Sequence, residues 1–116
     1  MSQRSVVLLL GSNLGDRYLN LETAIASLND SVGDIYQKSE VLESIPVDYD
    51  SNRIFCNIAL RMRTYFSPVF LLMKLKKIEM DMGRTVDSRI SGQHSDRIID
   101  IDIVYYEGLK FVSERL

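Results

Sequence analysis

The sequence predicts an α+β fold: a four-stranded antiparallel sheet with two helices on one of its faces, in the order β-α-β-β-α-β. Three observations predict it. Four stretches read as extended, two of them continuous apolar runs and one a strict alternation of apolar and polar residues. Two further stretches carry apolar residues at helical spacing, each behind an N-capping residue. The order of these elements is the split βαβ arrangement of ferredoxin-like sheets. In it the helices cover one face and leave the other open.

The first strand is the apolar run Val6 to Leu10, which stops at the turn signal Gly11-Ser12-Asn13-Leu14-Gly15-Asp16. Asp16 caps the first helix, whose apolar face is Tyr18, Leu21, Ala24, Ile25 and Leu28 and which ends at Asn29-Asp30-Ser31. A long, partly exposed strand is expected from Val32 to about Glu43. Ser44 to Asn52 then holds a proline and many polar turn formers, as a loop does. Ile54 to Thr64 is two-faced. Ile54, Cys56, Ile58, Leu60 and Met62 take one side, and Phe55, Asn57, Ala59, Arg61 and Arg63 the other. Ser67 and Pro68 open the second helix as N-cap and first helical residue. Leu71, Leu75, Ile78 and Met82 form its apolar stripe, and Gly83 closes it. The polar stretch Arg84 to Asp96 reads as a loop, and the run Ile98 to Tyr105 as the last strand, before a turn at Glu107-Gly108.

Length and composition restrict what this chain does. A chain of 116 residues, 46% hydrophobic and 26% charged, fits one globular domain over residues 1–116. A net charge of −2 argues against nucleic acid, whose phosphate backbone calls for a basic surface. No apolar run is long enough to cross a bilayer, so no membrane partner is expected. Met1-Ser2-Gln3-Arg4-Ser5 leads straight into a strand, unlike a signal peptide. Cys56 is the only cysteine, which excludes an internal disulfide and fits a cytoplasmic setting.

The chemistry concentrates in Asp100-Ile101-Asp102. Side chains alternate along a strand, so both carboxylates share one face while Ile99, Ile101 and Ile103 take the other. Two like charges that close repel and lose hydration. A hard divalent cation relieves both penalties, and Mg²⁺ commonly binds one or two carboxylates together with substrate phosphates. Two aspartates on a water-facing sheet surface are the alternative. Phe55 and Asn57 fall on the same uncovered face, where an aromatic and an amide suit a flat heterocycle and its polar edge. A surface aromatic beside an uninvolved amide fits equally. Arg84, Arg89 and Arg97 are placed to meet phosphates, or form a solvated charged loop. His94 has polar neighbours, which predicts a solvent-facing ring. The Gly11–Gly15 turn is no P-loop, because no Gly-Lys-Ser/Thr follows it.

Taken together, these stretches resemble the 6-hydroxymethyl-7,8-dihydropterin pyrophosphokinases of the folate pathway. The resemblance rests on Gly11-Ser12-Asn13-Leu14-Gly15-Asp16-Arg17, Glu43-Ser44-Ile45-Pro46, Phe55-Cys56-Asn57, Glu79-x-x-x-Gly83-Arg84 and Arg97-Ile98-Ile99-Asp100-Ile101-Asp102-Ile103. It implies pyrophosphoryl transfer from ATP, the co-substrate, to a hydroxymethyl dihydropterin, with release of AMP. Asp100 and Asp102 match the family's ligands for two Mg²⁺ ions. Asn57 matches the amide at the pterin edge and Phe55 the aromatic on its ring, while Ser44, Pro46 and Val47 lie in the loop that meets the pterin. Arg84 and Arg97 match the arginines that close over the triphosphate. Leu72, Lys76, Ile103, Arg115 and Leu116 fall where the family lines its adenine and ribose site. Glu79 matches a recurrent acid to which the resemblance assigns no role.

The chain also departs from the family. Gln93-His94-Ser95-Asp96-Arg97 stands where Arg-Trp-Gly-Pro-Arg is usual. The family continues past the position of Leu116 with a Pro-His-Pro stretch, an arginine and an aromatic over the pterin's second face. The expectation is a C-terminally short form with an incomplete site. A non-catalytic pterin- or nucleotide-binding homologue is therefore the competing reading. An RNA-recognition module shares the element order, but Val6-Val7-Leu8-Leu9-Leu10 offers no aromatic for base stacking.

Overall fold

The computed structural model describes residues 2–45, 54–83 and 98–109. Its elements are β1 (Arg4–Ser12), α1 (Arg17–Ser31), β2 (Gly33–Lys38), β3 (Leu42–Ser44), β4 (Phe55–Thr64), α2 (Pro68–Met82) and β5 (Asp100–Tyr106). The sheet runs β2-β4-β1-β5, with β3 also paired to β4, and every pairing is antiparallel. This is the ferredoxin-like α+β arrangement expected from the sequence.

Strict alternation on β1 and β4 builds the core. Val6, Leu8 and Leu10 on β1, and Cys56, Ile58, Leu60 and Met62 on β4, are buried against the helices. Cys56 is a core residue, as its position in the alternation predicted. Helix α1 is capped by Asp16, whose Oδ1 accepts the Leu19 N–H at 3.1 Å, and it buries Leu21, Ala24 and Leu28. Ser67 caps α2 by accepting the Phe70 N–H at 3.3 Å, with Pro68 at its first turn, and Leu71, Leu75 and Ile78 are buried. Fully burying such side chains contributes roughly 1.5–3 kcal/mol each. Among the described residues no helix is long and apolar enough to cross a membrane.

Four details differ from the sequence expectation. Strand β1 does not stop at Leu10: Gly11 and Ser12 continue it, in register with Asn57 and Cys56 of β4. The glycine there answers to close approach within the sheet and not to a turn. The stretch expected as one strand from Val32 is two. Val32 ends α1 by donating its N–H to the Leu28 carbonyl, and β2 begins at Gly33, where a Cβ would lie 1.9 Å from the Arg63 carbonyl oxygen. Between β2 and β3, Ser39 takes both backbone groups of Ala59. Its N–H donates to the Ala59 carbonyl and its Oγ accepts the Ala59 N–H, each at 2.9 Å, which interrupts the ladder. Tyr18, placed on the apolar face of α1 by its spacing, is 48% exposed, because its hydroxyl has a polar partner across the sheet edge.

Ile99, just before β5, and Ile101 within it lie in the core, with Ile103 packed beside them. The register then slips: Leu8 pairs with Ile103 but Val7 pairs with Tyr105, so Val104 is an extra residue. That bulge returns Tyr106 to the interior, where its hydroxyl donates to the Phe66 carbonyl at 2.5 Å.

Candidate active site

The face not covered by α1 and α2 carries the polar residues singled out by the sequence. Register aligns them in rows across the sheet. One row runs from Leu42 on β3 through Asn57 on β4 and Gly11 on β1 to Asp100 on β5. The next runs from Ala59 through Leu9 to Asp102. Phe55 pairs with Ser44 one row beyond Asn57. Neighbouring strands are about 5 Å apart, so the amide of Asn57 and the carboxylate of Asp100 belong to positions roughly 10 Å apart.

Gly11 is what lies between them. A Cβ on Gly11 would stand 2.7 Å from Asn57 Oδ1. Gly11 is buried and the Asn57 carboxamide leans over it, so a side chain at this position would collide with that amide. The sequence reading had this glycine in a turn and missed it. The only signal was a glycine directly after an apolar strand run, which looks the same as a turn.

Asp100 is half-buried and Asp102 exposed, while Ile101 between them is 4% exposed on the opposite face. The pair thus faces away from the helices, as alternation predicted. The donor set suits one kind of cation. Among the described residues no group of three or more His, Cys, Asp or Glu comes together. Two carboxylates on one face fit a hard ion that takes its remaining oxygens from water and phosphate.

Glu79 is the residue whose role sequence reasoning left blank. From α2 it reaches the outer edge of β5, where Oε2 accepts the N–H of Ile101 at 2.6 Å. Its Oε1 lies 3.7 Å from Nζ of Lys76, and its side chain is only 12% exposed against 64% for the lysine. A signal was present: Glu79 directly follows the core residue Ile78 and borders the apolar stripe, unlike the acids of the solvated face.

The remaining candidates divide. Leu72 and Lys76 are exposed on α2, at positions i and i+4 with Glu79 at i+7, so they share the helix face that meets the β5 edge. Ile103 is on the helix side of β5, packed against the core. These three lie beside the aspartates but not on their face. Ser44 is exposed at the end of β3. Pro46, Val47, Arg84, Arg89, His94, Arg97, Arg115 and Leu116 lie outside the described residues.

Two side chains, Asn20 and Tyr18, hold the site's borders. Asn20 Nδ2 donates to Ser12 Oγ at 3.1 Å and to the Leu14 carbonyl at 2.8 Å, tying the loop after β1 to α1. Tyr18 donates to Glu43, the neighbour of Ser44, and that bond holds the Tyr18 phenol well above its usual range, pushed up to about 12.

With this geometry in view, the comparisons are consistent. The model of the family 7,8-dihydro-6-hydroxymethylpterin-pyrophosphokinase matches residues 7–115. A 2-amino-4-hydroxy-6-hydroxymethyldihydropteridine pyrophosphokinase of Porphyromonas gingivalis is 38% identical over 87% of this chain and 68% of its own length. The mitochondrial folate synthesis bifunctional protein of Pisum sativum is 38% identical over 96% of this chain, which spans 21% of that larger protein. In structure, the HPPK-DHPS of Plasmodium falciparum superposes with a TM-score of 0.69 over 90% of this chain and 28% of its own, at 20% identity. At that identity the likeness speaks for the fold.

Proposed function

The chain belongs to the 7,8-dihydro-6-hydroxymethylpterin-pyrophosphokinase family, and on that premise we propose that it transfers pyrophosphate from ATP to 6-hydroxymethyl-7,8-dihydropterin in folate synthesis. The observation that carries the proposal is the row Asn57–Gly11–Asp100, with Asp102 in the next row of the same open face. It sets a donor–acceptor amide and a pair of acids on one face, with the amide leaning over the buried glycine between them.

In this reading the pterin lies against Phe55, and Asn57 meets its polar edge with both donor and acceptor. Ser44, Pro46 and Val47 border it. Its hydroxymethyl group then extends past Asn57 toward the aspartates. ATP enters along the β5 edge, with its base and ribose toward Leu72, Lys76, Ile103, Arg115 and Leu116 and its phosphates toward the uncovered face. The substrate hydroxyl attacks the β-phosphorus in line and gives up its proton to solvent, the bond from that phosphorus to the oxygen bridging to the α-phosphate breaks, and AMP leaves. Asp100 and Asp102 would hold Mg²⁺, which when bound neutralises charge on the phosphates. Arg84 and Arg97 add further positive charge there. Such transfer depends on positioning and charge, so it requires no covalent nucleophile.

The test is AMP release from ATP in the presence of Mg²⁺ and the hydroxymethyl dihydropterin, for this chain and for the double variant Asp100→Ala, Asp102→Ala. AMP formation that disappears in the variant supports the reading. Binding of both substrates with no AMP formed would make the chain a pterin and nucleotide binder instead.

A further inference from the structure

We propose that Glu79 is a positioning residue, which sets the two aspartates by holding the backbone N–H of the residue between them. The proposal rests on the reading of Asp100 and Asp102 as metal ligands. Strand β5 ends the path β2-β4-β1-β5, so β1 lies on one side of it and α2 lies against it. Backbone N–H directions alternate along a strand. The Ile101 N–H turns outward, away from β1, and finds the Glu79 carboxylate at 2.6 Å. Charge-assisted hydrogen bonds of this kind are the strong ones.

Its place matters more than its strength. Ile101 is the pivot between the carboxylates: the peptide units on its two sides set the spacing and tilt of Asp100 and Asp102. Two adjacent acids repel, and among the described residues β5 has one neighbouring strand, β1, to resist that repulsion. Glu79 supplies the second restraint from a helix whose own position is fixed by Leu75 and Ile78 in the core. The other oxygen of Glu79 faces Lys76 at 3.7 Å, so one carboxylate links the nucleotide side of α2 to the acid pair. Groups that orient metal ligands in this way typically contribute 10–100-fold in metal affinity.

The test compares wild type, Glu79→Ala and Glu79→Gln, with the double variant Asp100→Ala, Asp102→Ala as reference. Calorimetry measures binding of Mg²⁺ with α,β-methylene-ATP, and amide hydrogen exchange reads Ile101 in the metal-free protein. Glutamine keeps a carbonyl that accepts the Ile101 N–H, whereas alanine removes the acceptor. The expected result is a loss of affinity of about tenfold or more in Glu79→Ala, recovery to within about threefold in Glu79→Gln, and Ile101 protection that follows the same order. Equal affinity for wild type and Glu79→Ala, with binding lost in the double aspartate variant, overturns the proposal and leaves the metal reading intact. Glu79→Gln as weak as Glu79→Ala also overturns it, because charge and not the hydrogen bond would then be at work. Unchanged binding in the double aspartate variant overturns the metal reading, and this proposal with it.

Discussion

Tyr18 donates its phenolic hydrogen to Glu43 Oε2 at 2.5 Å, joining the first turn of α1 to β3 one residue before Ser44. This bond holds the end of the short strand that leads into the Pro46–Val47 segment. The phenol is pushed up to about 12, first by the hydrogen bond to Glu43, then by burial and the carboxylate charge. The folded state therefore keeps its proton more tightly than the unfolded one. The contribution is fully present below the unfolded value of 10 and is lost as pH rises through 12. With six tyrosines in the chain, the clean measurement is the phenolate absorbance of wild type minus that of Tyr18→Phe. The difference titration is expected near pH 12, and a midpoint at 10 would show that the bond is not made in solution.

Gly11→Ala is expected to damage the pterin side selectively. Its new methyl group would stand 2.7 Å from Asn57 Oδ1 and must displace the carboxamide. A KM for the pterin raised about tenfold, with nucleotide affinity changed less than about twofold, is the expected pattern, since small misplacements of binding groups carry large effects. Steady-state kinetics with each substrate varied in turn checks it.

Asp102→Asn separates stability from function. The side chain is exposed, and asparagine keeps its size and one accepting oxygen, so the metal-free protein is expected to stay within about 1 kcal/mol of wild type. The rise in melting temperature produced by Mg²⁺ with a non-cleavable ATP analogue is expected to shrink sharply, since ligand stabilisation follows affinity. Thermal melts with and without ligand give both quantities.

Thr64→Val probes a buried joint far along β4 from Asn57. Thr64 is 0% exposed; its hydroxyl donates to the Val32 carbonyl at 2.8 Å and accepts the Phe66 N–H at 3.1 Å. Valine keeps the shape and leaves both groups unpaired, at a cost of about 1–3 kcal/mol. Denaturant unfolding should show that loss while substrate affinity stays unchanged.

Much of this was legible from residue pattern alone. The alternation in β4 placed Phe55 and Asn57 opposite Cys56 and Ile58, and the spacing of Asp100 and Asp102 put both on one face, because period-two patterns survive folding unchanged. Both helix caps were legible at Asp16 and Ser67, where the capping side chain is local to the element it caps. What was not legible depended on partners distant in sequence. Gly11 reads as a turn until Asn57 is set beside it. The break at Ser39 exists because of Ala59, twenty residues on. Glu79 is one more helix acid until the outward N–H of Ile101 is known, and Tyr18 passes for a core aromatic until Glu43 is placed opposite it.

The additional residue at Val104 divides β5 into two lengths that are out of phase. Upstream, odd-numbered positions face the core; downstream, Tyr106 does. An insertion or deletion after Ile103 can thus be absorbed at that point without rotating Asp100 and Asp102.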